Sequence, residues 1–343
     1  MQNYNPDALR DSYRSLQSGE PRMRAIREAI TAAEQAHDDP AALLFHADLI
    51  RESVFSGDRL QALVDFPQYL SITERDPALA KENLWDTLWM FKWIVEAATE
   101  FYQIDKIQIL RWFSEFRRML TVNGYSLRTW YEKRAIFYQY ADRAKMRLDY
   151  EDFQRAPKDE MGDGEASELD SVVRFEMETG NREKALKAAE EIFRRRLRTE
   201  EVPCKTYYIL LSDALASGDT EKAAEYAEPL RRLCDGQRFQ LEPIGMMLCY
   251  DAQTDPERGL RFWKKNLPLR EGSRNPFLCF WFDRGAAMLL TAAARAGLSC
   301  GELTPEQLAA EAEKCRANAA DLAAKFDARN GSGYFSRHLP PAE

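Results

Sequence analysis

Histidine is scarce in this 343-residue chain, with only His37, His46 and His338. None belongs to a His-Glu-x-x-His pair, and there is no Gly-x-Ser-x-Gly elbow, no phosphate loop ending in Gly-Lys-Ser/Thr and no dinucleotide fingerprint. The short motifs that mark zinc hydrolases, serine hydrolases and nucleotide-binding domains are therefore missing. The Gly pairs nearest to such a loop, Gly162-x-Gly164 and Gly331-x-Gly333, are too short to cradle a phosphate. No enzyme activity, metal or cofactor is expected. The six cysteines (Cys204, Cys234, Cys249, Cys279, Cys300, Cys315) contain no Cys-x-x-Cys pair, which offers neither zinc spacing nor a disulfide framework and predicts free thiols in a reducing compartment. No apolar run approaches the roughly 20 residues that cross a bilayer, and Met1 to Arg14 is polar, so a cytoplasmic protein without a membrane partner is expected. A net charge of -8 argues against gripping a phosphate backbone, and no nucleic acid is expected as a partner. The basic runs Arg194, Arg195, Arg196 and Arg198, and Arg231 with Arg232, read as solvated helix faces.

Glycine (16) and proline (15) are also few, and strand-like alternations of Val, Ile and Thr are absent. What remains is helical. Ala, Leu, Glu, Arg and Lys recur throughout, and charged residues make up 30%, the composition of helices with one solvated face. Even Ile104 to Leu110 reads at helical spacing, with Ile107, Leu110 and Phe113 on one side. Helix starts are marked by a polar cap followed by proline, whose missing N–H costs nothing in the first turn: Asp39-Pro40, Asp76-Pro77, Asp255-Pro256, Asn275-Pro276 and Thr304-Pro305. The last continues to Gln307 and predicts a reciprocal capping box.

Between helices, a Gly followed by Asp or Asn recurs with a small residue five positions after the Gly. It stands as Gly57-Asp58 with Ala62, Gly180-Asn181 with Ala185 and Gly218-Asp219 with Ala223; Thr254-Asp255 with Gly259 is a degenerate fourth case. Gly can take the left-handed conformation that ends one helix, Asp or Asn caps the next, and the small side chain lets the two approach. Turns without Gly are expected near Ile104-Asp105 and Leu148-Asp149, with Trp93 and Ala97, and Phe137 and Ala141, at matching distances before them. His46 and Tyr207 fill the large position elsewhere. This pattern resembles the tetratricopeptide repeat, a helical hairpin of roughly 34 residues.

The resemblance implies an all-α fold, a right-handed α-solenoid of about six to seven antiparallel helix pairs. Residues 1–39 would form an N-terminal cap, 40–270 the repeats, and 271–343 the C-terminal capping helices and tail, with Tyr334 and Phe335 folding back after Asn330-Gly331-Ser332-Gly333. It further implies a protein or peptide partner bound on the concave face formed by the first helix of each pair, as in an adaptor or regulatory scaffold. Counting from each turn places Arg51, Phe91, Tyr102, Tyr138, Lys145, Arg174 and Tyr208 on that face. The residues with which some family members clamp a peptide carboxylate do not match, since Ala47 and Arg51 stand at the first such position. A peptide-responsive sensor without its own DNA-binding module and a helical toroid with catalytic carboxylates are the alternatives.

Two further features concern ligands. Five of the seven tryptophans lie between residues 85 and 130, and Trp85, Trp89 and Trp93 repeat every four residues, one stripe on a helix; such a stripe is read first as core packing, second as an aromatic groove. Asp159, Asp163, Gly164 and Asp170 partly match a calcium loop, but Met161 breaks the third ligand position, and an acidic connection into the next helix explains them better.

Overall fold

All five proline-marked starts begin helices in the computed structural model, which describes residues 4–340; residues 1–3 of the polar N-terminal stretch and 341–343 of the tail lie outside the described residues. Asp76, Asp255, Asn275 and Thr304 cap as expected, and Thr304 and Gln307 form the reciprocal box. At the first start the cap moves back one residue: the Asp38 side chain accepts from the Ala41 amide, so Asp39 is already helical. The described residues hold 17 α-helices, two short 3-10 turns and no strand. They divide into two compact units, Met1–Tyr125 and Ser126–Glu343.

The first unit contains α1 (Pro6–Arg14), α2 (Glu20–Gln35), α3 (Asp39–Phe55), α4 (Arg59–Arg75), the short α5 (Pro77–Glu82), α6 (Leu84–Thr99) and α7 (Lys106–Val122). Helices adjacent in sequence pack on one another, and α3 and α4 both also touch α6. Asp48 on α3 holds α1 by accepting from the Tyr13 hydroxyl at 2.7 Å and Arg10 Nε at 3.0 Å. One turn later, Glu52 receives the Gly19 amide and Arg22. Gly57 takes φ +81° at the α3–α4 turn, and Ala62 beyond it is fully buried, so the small residue does let these helices close.

His46 is buried on α3 and its Nδ1 meets no hydrogen-bond partner. Burial pulls its pKa down from 6.5 to about 4. The folded state therefore takes up this proton later than the unfolded chain as pH falls, and stability present above pH 6.5 drains between there and about 4. Between pH 7.5 and 5.0 this site alone should account for a loss of about 2 kcal/mol. Urea unfolding of wild type and His46→Leu at both pH values checks it: the wild type should lose that much more than the variant, and an equal loss in both would remove His46 as the cause.

The second unit is a run of helix pairs: α8 (Arg128–Ala141) with α9 (Arg143–Arg155), α10 (Glu165–Thr179) with α11 (Arg182–Arg194), α12 (Cys204–Ser217) with α13 (Thr220–Cys234), α14 (Leu241–Thr254) with α15 (Pro256–Glu271), and α16 (Pro276–Arg295) with α17 (Pro305–Asn330). Gly180 and Gly218 end α10 and α12 at φ +87° and +72°, and Ala185 and Ala223 are buried after them. Gly259 shows the size limit most sharply, because a Cβ there would sit 2.7 Å from Cβ of Asp251 and inside contact of the Leu289 side chain.

One turn is elsewhere than the spacing suggested. The break between α8 and α9 falls at Asp142, whose extended backbone and side-chain cap on the Lys145 amide start α9. Leu148 and Asp149 lie inside α9, where Asp149 is buried against Arg134 rather than capping. A second correction concerns apolar length. Helix α16 is long and apolar enough to cross a membrane by length and composition, at mean hydropathy 1.3, yet 67% of it is buried within the protein. Phe280, Phe282, Ala286, Leu289 and Leu290 are covered, as in a core helix. All six cysteines are free and buried.

Candidate functional site

Helix α6 is buried almost all the way round: Thr87, Leu88, Met90, Phe91, Lys92, Ile94, Val95, Ala97 and Ala98 are all covered. The less covered strip runs Trp85, Trp89, Trp93, Glu96, Glu100, exposed at Trp85 and half-buried at the other four, one line at helical spacing. Its lower half is neutralised by Arg59 of α4, with Nη1 3.4 Å from Glu96 and 2.5 Å from Glu100. Its upper half is aromatic. Trp85, 39% exposed, stacks on Trp89 with ring centroids 4.9 Å apart; Trp89 meets Trp93 edge-on, and Trp93 meets Phe55 of α3 edge-on at 5.3 Å. Phe55 is 44% exposed. Beneath the stripe, Lys92 Nζ lies 3.3 Å from the Trp89 ring centroid, a cation–π contact made away from water. The stripe is partly surface and partly packing: Trp85 is exposed, while Trp89 and Trp93 are half-buried between it and Phe55.

Arg51 stands at the edge of this patch. Its guanidinium bonds Asp48 on its own helix at 3.1 Å and lies 3.9 Å from Asp86 of α6, so it bridges the two helices that carry the aromatics. It remains half in solvent. Phe91, placed on the same face by turn counting, points the other way: it is 3% exposed, between Phe66 at 5.2 Å and Phe116 at 5.5 Å. Tyr102 is half-buried in the connection after α6, off the helix.

In the second unit the shifted turn relocates two expected residues. Lys145 lies on α9, the second helix of its pair, with Nζ 5.5 Å from the ring of Tyr138, itself buried on α8. Neither belongs to an open face of first helices. Arg174 and Tyr208 do converge. The first helices of the pairs are laced side by side: Arg128 to Glu168 at 2.9 Å, Ser171 to Glu132 at 2.6 Å, Gln139 to Glu178 at 2.8 Å, Thr206 to Asp170 at 2.5 Å. The row curls until its ends meet, with Tyr140 of α8 5.4 Å from Phe277 of α16. Arg174 Nη1 reaches inward to Gln139 Oε1 at 3.5 Å and Tyr140 Oη at 3.4 Å. Tyr208, Glu242 and Tyr334 surround the same space and act electrostatically on one another or on Arg174.

The tail borders this interior, as the Asn330-Gly331-Ser332-Gly333 break suggested. Gly331 ends α17 at φ +68°, Ser332 Oγ donates to the Tyr140 carbonyl at 2.6 Å, and Phe335 is buried among Tyr140, Phe277, Phe280 and Phe326. Arg284 of α16 donates to the His338 carbonyl and, at 3.3 Å, to Cys249 Sγ. Glu242, Tyr140 and Arg284 carried no signal in the sequence, since each acts only through the neighbours that closure brings.

The acidic 159–170 segment is tied up structurally. Asp159 accepts from the Ser126 and Met161 amides, Asp163 from Lys133 Nζ and Asp170 from the Thr206 hydroxyl. No group of three or more metal-binding side chains is gathered among the described residues. Compared with known proteins, the sequence matches no protein-family model and no curated protein.

Proposed function

We propose that the protein is a binding scaffold whose helix pairs are tetratricopeptide-like, stacked with a right-handed superhelical sense, and that its first unit docks an extended peptide or protein segment. The observation that carries this reading is the Trp85–Trp89–Trp93 stripe with Phe55, exposed at Trp85 and Phe55 and half-buried between them. Such aromatic surface, contiguous and displayed by two neighbouring first helices, α3 and α6, marks an interaction site. Arg51 supplies a directed charge at its edge, and the rings and guanidinium are of the types that dominate binding energy. A partner laid across α3 and α6 would cover the rings and offer Arg51 a carboxylate or carbonyl. The helices, held by Asp48 and Glu52, change little on binding, which reduces the ordering cost.

The test is selection from a random peptide library on the full chain. Selected peptides should bind at about micromolar Kd. A Phe55→Ser, Trp85→Ala variant with an unchanged circular dichroism spectrum should bind them at least about tenfold more weakly, the loss of one to two hot-spot rings. Peptides held equally by both proteins would move the interface off this stripe.

A further inference from the structure

The interior of the second unit holds two opposite charges that do not pair. Among the described residues Arg174 has no carboxylate within 4.0 Å, and its hydrogen bonds run at 3.4 and 3.5 Å to neutral oxygens of Tyr140 and Gln139. Glu242, 8% exposed in the first turn of α14, has no cation within 4.0 Å among the described residues. Its polar neighbour is Tyr208, while Lys205 is taken up by Glu201 at 2.7 Å. Both groups face the same space, framed by Tyr140, Tyr208 and Tyr334. A half-buried guanidinium and a buried carboxylate that meet only neutral oxygens are less well compensated than a direct ion pair would be. Elsewhere in this unit the same residue types find each other directly: Arg128 with Glu168, Arg231 with Asp251, Arg270 with Asp283. Arg174 and Glu242 act on each other electrostatically yet do not bond, so each keeps its charge for a ligand with the opposite one.

We propose that this interior is a binding site for a small zwitterion of the free α-amino acid class, its carboxylate received by Arg174 with Tyr140 and its ammonium by Glu242 with Tyr208. Arginine suits the first role because its planar fork matches a carboxylate. The three tyrosines give apolar walls with hydroxyls at the rim. Tyr334, 5.0 Å from Tyr140 and carried on the tail, borders the site, which stays partly open at Arg174 and Tyr208. This reading is independent of the aromatic stripe, which lies in the other unit.

The experiment uses the full chain and a panel of the free L-amino acids, each at about 1 mM, with thermal unfolding read first and calorimetry on any hit. At least one should raise the Tm and bind with a Kd below about 1 mM, while its one-ended analogues, the matching carboxylic acid and the matching alkylamine, bind at least about tenfold more weakly. Arg174→Gln and Glu242→Gln should each lose at least about tenfold in affinity. Tyr208→Phe removes one hydroxyl without a change in volume, and should weaken binding even if the charge variants fail to fold. Trp85→Ala should bind as wild type does. The proposal is overturned if no amino acid shifts the Tm, which leaves water as the occupant, if a one-ended analogue binds as tightly, or if Tyr208→Phe and the charge variants all bind unchanged.

Discussion

Gly285→Ala is expected to destabilise the second unit by about 3 kcal/mol or more, the upper range for forcing atoms into a packed interior. Helices α14 and α16 cross backbone to backbone at Gly245 and Gly285. A Cβ on Gly285 would lie within contact of the Gly245 carbonyl oxygen, 2.8 Å from its carbon and 2.9 Å from its Cα. In the other direction, a Cβ on Gly245 would lie 2.7 Å from the carbonyl carbon of Trp281. These obstacles are main chain, so no rotamer change relieves them, and α16 must move away from α14. That movement would pull Arg284 on α16 from Cys249 on α14 and uncover Phe282, Leu289 and Leu290. Gly180→Ala is the control: a Cβ there meets nothing within 4 Å, and only its φ of +87° is strained, worth about 1 kcal/mol. Urea denaturation of the three proteins decides it. A Gly285→Ala loss no larger than that of Gly180→Ala would show that the helices can part without penalty.

Phe335→Ala should cost about 3–5 kcal/mol, as for other buried aromatic truncations. Its ring stacks on Phe326 at 4.6 Å and meets Phe280 edge-on at 5.1 Å, with Tyr140 at 5.7 Å and Phe277 at 6.1 Å. The backbone is fixed as well, since Asp327 accepts both the Phe335 and Ser336 amides at 2.9 Å. Without the ring, that carboxylate holds a tail with no apolar anchor, and Arg337 should become an early trypsin site. Unchanged stability together with unchanged tryptic protection would mean that the tail is held by its backbone contacts and not by the ring.

Local chemistry was the readable part of this protein. Caps at Asp76, Asp255, Asn275 and Thr304, and the glycine turns at 57, 180 and 218, involve residues within a few positions of one another, so their geometry could be written from the sequence. Asp142 was missed because it caps without glycine or proline beside it, and because Asp149, seven residues on, carries the same side chain in the opposite role, buried on Arg134. That one slip moved Tyr138 and Lys145 off the expected face. The tryptophan period was visible too, but not its exposure: whether a stripe is core depends on which helix covers it, and α3, α4 and α7 pack on the remaining faces of α6. Arg174 and Tyr208 came from counting turns. Their partners, Tyr140, Glu242 and Tyr334, lie up to 194 residues apart along the chain from Tyr140 to Tyr334, a distance no spacing rule spans.

The tail's hold on α8 also sets a timetable. The carbonyl of Tyr140 waits for the hydroxyl of Ser332, 192 residues later, an interval of about 10 to 40 s at ordinary rates of synthesis. The second unit must keep the inner side of α8 waiting, aromatic and uncovered, until its last helix emerges. A ribosome that stalls after α16 would leave this surface open to other nascent chains, and losing Ser332 to Phe335 would be felt on α8, at the opposite end of the unit.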